Sequence, residues 1–91
     1  MNKEKLLTIV TSGMDGLYTG KCIEFRVGSF GDSREDAIQR VQTSVLINSM
    51  VMLQLESENI IKGYYKRLLP YAKKVIKNEN NLDSIFNYKE I

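Results

Sequence analysis

The sequence predicts an α+β fold: a three-stranded antiparallel sheet, open to a fourth strand, packed on one long helix and followed by a helical C-terminal segment. Three observations carry that prediction. Residues 5–30 fall into short β-branched or alternating runs, the first two separated by a glycine-containing turn. Residues 31–37 (GDSREDA) hold a helix-start signature. From Ser33 to about Leu55 no Gly or Pro interrupts the chain, and apolar residues recur throughout.

Residues 5–12 (KLLTIVTS) are β-branched and of strand length. Residues 13–16 (GMDG) form the expected turn, because glycine and aspartate tolerate positive φ. Residues 17–24 (LYTGKCIE) alternate, with Leu17, Thr19, Lys21 and Ile23 on one face and Tyr18, Gly20, Cys22 and Glu24 on the other. Residues 25–30 (FRVGSF) make a weaker third strand, in which Phe25, Val27 and Ser29 share a face and Gly28 marks a candidate bulge.

At the corner that follows, Gly31 is expected to supply free backbone angles. Ser33 is placed as the N-cap, its hydroxyl accepting the Asp36 amide, while the Asp36 carboxylate reaches back to the Ser33 amide. Asp32, Glu35 and Asp36 bring negative charge to the positive end of the helix dipole. The helix to Leu55 would be about 33 Å long at the standard rise per residue. Its first half is amphipathic, with Ala37, Ile38, Val41 and Val45 toward the sheet. Its second half, including Leu46, Met50, Val51, Leu53 and Leu55, is apolar in nearly all directions. Three strands cover one side only, so the rest must be covered by the C-terminal segment or by a second copy of the chain. These five residues are the expected oligomer interface.

Residues 56–59 end that helix, and Ile60, Tyr64, Leu68, Leu69, Ala72, Val75 and Ile76 resume the helical period. Pro70 predicts a kink or two short helices. Leu82, Ile85, Phe86 and Tyr88 allow the tail to dock as a short helix or a strand.

Composition sets outer limits. A 91-residue chain that is 43% hydrophobic and 26% charged makes one soluble domain, small enough to gain from dimerisation. The organisation expected is a β-β-β-α domain over residues 1–57 and a basic helical extension over 58–91, packed on the same domain or on its dimer mate. A net charge of +2 implies no partner by itself. The lone Cys22 rules out an internal disulfide and fits a reducing cytoplasm. The apolar run after the N-terminus is broken by Thr8, Thr11 and Ser12, so neither a signal peptide nor a membrane span is expected.

Catalytic chemistry finds little support. The chain has no His, and Cys22 within an alternating strand reads as a buried structural thiol. Capping and the helix dipole already account for Asp32, Glu35 and Asp36, so no metal site is assigned to them. No glycine-rich stretch has the pattern of a phosphate loop. No enzyme and no cofactor are expected. Lys62, Lys66, Lys73 and Lys77 fall within about 60° on a helical wheel, with Arg67 and Lys74 flanking them. This face is either a solvated surface or a site for nucleic-acid phosphates or an acidic protein.

Tyr18, Cys22, Glu24, Phe25, Val27, Ser29, Gly31, Asp32, Ser33, Glu35, Asp36 and Ala37 stand in the order and spacing of a known pattern. It runs roughly Y-x-A-x-C-P-E-L-x-V-x-S-x-G-D-T-x-E-E-A, and the chain resembles the HicB-like antitoxin family through it. With the flanking strand and helix the likeness covers about residues 5–55. Ile23 replaces the usual Pro and Gly20 the usual Ala, and the C-terminal third resembles neither DNA-binding module of complete HicB proteins. The resemblance implies a partial ribonuclease-H-like β-β-β-α core, usually with a fourth strand. It further implies a homodimer that binds and blocks a small toxin ribonuclease, with no catalytic residue of its own. The alternative expectation is a stand-alone small-ligand or nucleotide binder of a mobile element, with a pocket near Tyr18, Lys21 and Arg26.

Overall fold

The computed structural model describes residues 6–91; the expected strand start at Lys5 lies outside them. Strands β1 (Leu7–Met14) and β2 (Leu17–Cys22) pair antiparallel, with Met14 opposite Leu17. The turn is therefore only Asp15 and Gly16, with φ of 52° and 80°. Two successive positive φ values make the mirror-image turn whose twist matches that of the flanking strands. Gly13, expected in the turn, is instead a strand residue opposite Tyr18. The Tyr18 ring covers it, and a Cβ there would lie 2.7 Å from Tyr18 Cε1.

β2 stops at Cys22 rather than Glu24, and β3 (Val27–Gly31) starts two residues later than expected. Between them the chain turns through Ile23, Glu24, Phe25 and Arg26; the Arg26 amide donates to the Cys22 carbonyl at 2.9 Å, and Arg26 itself has φ 57°. Pairing of β3 with β2 is unbroken from Cys22↔Val27 to Tyr18↔Gly31, so the bulge expected at Gly28 is absent.

Helix α1 (Arg34–Ser57) starts at the expected cap, with the Asp36 amide donating to Ser33 Oγ at 3.0 Å. Two details differ from expectation. The Asp36 carboxylate accepts from the Asp32 amide at 3.2 Å, not from Ser33. Gly31 does not have a positive φ; what the corner needs is its missing side chain, since a Cβ would lie 2.9 Å from the Ala37 amide nitrogen. The far end of α1 closes on Asn59 at φ 60°. The Ile60 amide reaches the Leu55 carbonyl at 3.0 Å and the Asn59 amide reaches Glu56 at 2.9 Å, the paired bonds of a Schellman stop.

Helix α2 (Gly63–Lys77) is one element that runs through Pro70, where a kink or two short helices were expected; the chain does not divide into two. Pro70 is exposed, so water can solvate the carbonyl that loses its amide donor. A short 3₁₀ turn (Leu82–Ile85) leads into β4 (Phe86–Glu90), which pairs parallel with β1. The sheet is four-stranded, in the order β3-β2-β1-β4.

Both helices lie on one face of the sheet. Leu7, Ile9, Cys22 and Phe86 from the strands meet Val41, Val45 and Met52 of α1 and Leu68, Ala72 and Val75 of α2 in one buried core. A two-layer molecule results, 45 × 32 × 20 Å. Polar contacts tie β4 to α1. Gln42 donates to Tyr88 Oη at 2.6 Å and to Asp83 at 2.9 Å, Tyr88 in turn donates to Asp83, and Arg34 donates to Thr11 Oγ1 at 3.0 Å beside Glu90. No helix among the described residues is long and apolar enough to cross a membrane.

Candidate functional site

Strand alternation decides what the outer side of the sheet presents. Leu7, Ile9 and Thr11 point toward the helices, as do Gly20 and Cys22 of β2, and all are buried. Their neighbours Val10, Ser12, Thr19 and Lys21 therefore face the other way, and Lys89 of β4 lies beside Val10 in the register. Nothing among the described residues covers this side. An open hollow of about 880 Å³ lies there, lined by Val10, Ser12, Thr19, Lys21, Ile23, Arg26, Ser29, Phe30 and Ile91 together with Gly20 and Gly28. No acidic side chain is among them. Ile23 and Phe30 are 52% and 59% exposed, an apolar centre with two cations at its edge.

The β2–β3 turn holds Arg26 at that edge. The Arg26 guanidinium lies 4.7 Å from the centre of the Tyr64 ring on α2, and Tyr64 Oη donates to the Glu24 carbonyl. The Glu24 carboxylate accepts the Thr8 amide at 2.8 Å. The turn is thereby fastened both to α2 and to β1, and a cation–π contact restrains an otherwise flexible side chain. Of the residues expected to form a ligand pocket, Lys21 and Arg26 come together here. Tyr18 does not; its ring covers Gly13 on the other face.

The remaining expected site residues fall elsewhere. Gly31, Asp32, Ser33 and Asp36 form the helix cap, where Arg40 adds an ion pair to Asp36 at 3.4 Å. Leu46 and Leu53 are half-buried against the core of their own chain, and Leu55 is half-buried. Met50 and Val51 stand 56% and 52% exposed, with Ile47 beside them at 54%. Lys62, Lys66, Arg67, Lys73, Lys74 and Lys77 are all exposed, and Lys73 pairs with Glu56 at 3.3 Å.

Among the described residues, Cys22 and Tyr88 have shifted ionisation. Burial pushes the Cys22 thiol up to about 11, which keeps it protonated and unreactive at neutral pH. Burial, and then the hydrogen bond to Asp83, also hold the Tyr88 hydroxyl well above its ordinary range. Neither group faces the hollow. No group of three His, Cys, Asp or Glu side chains among the described residues is placed to hold a metal ion.

Sequence reasoning named Lys21 and Arg26 but missed Val10, Ile23 and Phe30 as members of one surface. The signal was available: a sheet packed on helices along one face leaves the other open, and Ile23 alternates with Lys21 and Thr19.

No family model and no curated protein sequence matches the chain. Among solved structures it is similar to a Syntrophomonas wolfei subsp. wolfei protein described as the antitoxin part of a proposed toxin/antitoxin system. The two are 18% identical, with a TM-score of 0.79 over 94% of this chain and 64% of the other. The chain thus spans under two thirds of that neighbour's length, and the likeness establishes a shared α+β fold.

Proposed function

We propose that the protein is a non-catalytic antitoxin of the HicB type, which binds a small toxin ribonuclease and holds it inactive in the cytoplasm. The observation that carries this reading is the uncovered sheet face: Val10, Ile23 and Phe30 make an apolar centre, Lys21 and Arg26 its charged edge, and no acidic side chain lines it. Exposed apolar side chains set side by side on an uncovered sheet face support a protein-binding role. The fold shared with an antitoxin and the pattern from Tyr18 to Ala37 support the same reading. Docking on this face would seat an apolar patch of the toxin at Ile23 and Phe30, with Lys21 and Arg26 meeting polar or acidic groups around it.

Co-expression of the tagged chain with a small ribonuclease, sought first in the reading frames flanking its gene, tests the proposal. Co-purification of the two proteins with loss of RNA cleavage is expected. Failure of the chain either to bind or to silence that ribonuclease would refute it. A second reading rests on the same hollow: Phe30 could stack on a base while Lys21 and Arg26 hold phosphate. It predicts a rise in melting temperature with nucleotides, which the antitoxin reading does not.

A further inference from the structure

We infer that the outer face of α2 binds single-stranded nucleic acid, its cations on the phosphates and a tyrosine against a base. Lys66, Arg67, Lys73, Lys74 and Lys77 fall within about 120° on a helical wheel. Lys62 stands at the N-cap, and all six are exposed. No acidic residue occurs from Ile60 to Asn78. Lys73 pairs with Glu56 at 3.3 Å; the other five have no ion pair among the described residues. The helix dipole accounts for Lys74 and Lys77 in the last turn, but not for the opposite end. There α2 opens with no acidic residue and no side-chain cap, and Lys62, Lys66 and Arg67 crowd the pole that is already positive. Folding alone favours carboxylates at that pole; cations there draw an external anion.

The rest of the face says which anion. The row from Lys62 to Lys77 is about 22 Å long at the standard helical rise, so the anion is extended. Protein interfaces are poor in lysine and centred on apolar side chains, whereas this face carries five lysines. Leu68, Leu69, Ala72 and Val75 of α2 are buried in the chain's own core, which leaves no apolar helix face to enter a lipid surface. Tyr71 is half-buried one turn from both Arg67 and Lys74, and Tyr65 stands 52% exposed one turn from Lys62. A ring set between cations stacks on an unpaired base, which a duplex keeps within its own stack. The face belongs to the helical layer, away from the sheet hollow, so this inference does not rest on the proposed function.

Fluorescence anisotropy with the full chain and a labelled RNA strand of about 12 nucleotides tests it, beside the same sequence as single-stranded and as duplex DNA. Micromolar binding to the single strands is expected, roughly tenfold or more tighter than to the duplex, and the ratio between the two single strands tells RNA from DNA. With about four to five phosphates engaged, affinity should fall with a log–log salt slope of about −3, roughly sixtyfold from about 50 to 200 mM salt. Lys66→Glu/Arg67→Glu should weaken binding roughly a hundredfold. Tyr71→Leu, which keeps an apolar side chain against the core, should weaken it roughly tenfold at an unchanged salt slope. Unchanged circular dichroism spectra would show both variants folded. Absence of binding at about 50 mM salt would overturn the inference, as would equal or tighter binding to the duplex or to polyglutamate. So would binding that survives Lys66→Glu/Arg67→Glu but is lost with Lys21→Glu/Arg26→Glu, which would place the strand on the sheet face.

Discussion

Replacing Gly31 by Ala separates two accounts of the strand-to-helix corner. If the corner needed only a flexible backbone, alanine would be harmless at this ordinary φ and would stabilise by about 0.4–1 kcal/mol through the unfolded chain. The contacts say otherwise. The added Cβ would sit 2.5 Å from Asp36 Oδ2, 2.9 Å from Asp36 Cβ and 2.9 Å from the Ala37 nitrogen. The carboxylate oxygen can swing away, but the Ala37 nitrogen belongs to the first turn of α1 and moves only if the cap opens. Overpacking of this kind costs about 1–3 kcal/mol, and disturbing the Ser33 cap adds about 1 kcal/mol. A net loss of about 2 kcal/mol corresponds to a fall in Tm of roughly 10 °C for a domain of this size. Thermal unfolding followed by circular dichroism measures it. Adding Asp36→Ala relieves the contacts with the carboxylate, so the double variant should be less destabilised than the sum of the singles. An unchanged or raised Tm for Gly31→Ala would refute the close-approach argument.

Other consequences follow from the same structure. Phe86, 1% exposed, seats β4 in the core; Phe86→Ala should cost about 3–5 kcal/mol in urea unfolding. Pro70 has no amide to offer the Lys66 carbonyl, so Pro70→Ala should stabilise by about 1–2 kcal/mol once the lost proline rigidity is deducted; a lower Tm would contradict the unbroken α2. The folded Cys22 binds its proton more tightly than an ordinary thiol, with a pKa raised from 9.0 to about 11. Its contribution to stability is therefore full below pH 9 and is lost as the pH rises through 11. Tyr88 acts in the same direction from about pH 10 upward. Denaturant midpoints measured across pH 8–11 should fall with this profile, and Cys22→Ala should remove its lower part.

Local chemistry made much of the fold legible. Asp15-Gly16 between alternating runs specifies a hairpin, Ser33 with Asp36 specifies a helix start, and the uninterrupted run after Ser33 specifies one long helix. Three features were hidden because their causes are not local. β4 pairs with β1 across nearly the whole chain, and alternation in residues 86–90 cannot reveal whether the neighbour is parallel or antiparallel. Arg26 adopts a left-handed conformation without being Gly or Asn; Tyr64, far along the chain, supplies the contact that holds it. Pro70 sits inside α2 because its side faces water, which sequence spacing alone did not decide. The candidate site was half legible for the same reason: Lys21 and Arg26 stand out as cations, but their union with Val10, Ile23 and Phe30 depends on which sheet face the helices take.

The central claim is that the outer sheet face inactivates a partner ribonuclease. Its most direct test is titration of that enzyme's RNA cleavage with the wild-type chain and with Ile23→Asp/Phe30→Asp, both substitutions falling on exposed positions that leave the core intact. The account predicts stoichiometric inhibition by wild type and at least a hundredfold weaker inhibition by the variant. Equal inhibition by the two, with both folded, would contradict it.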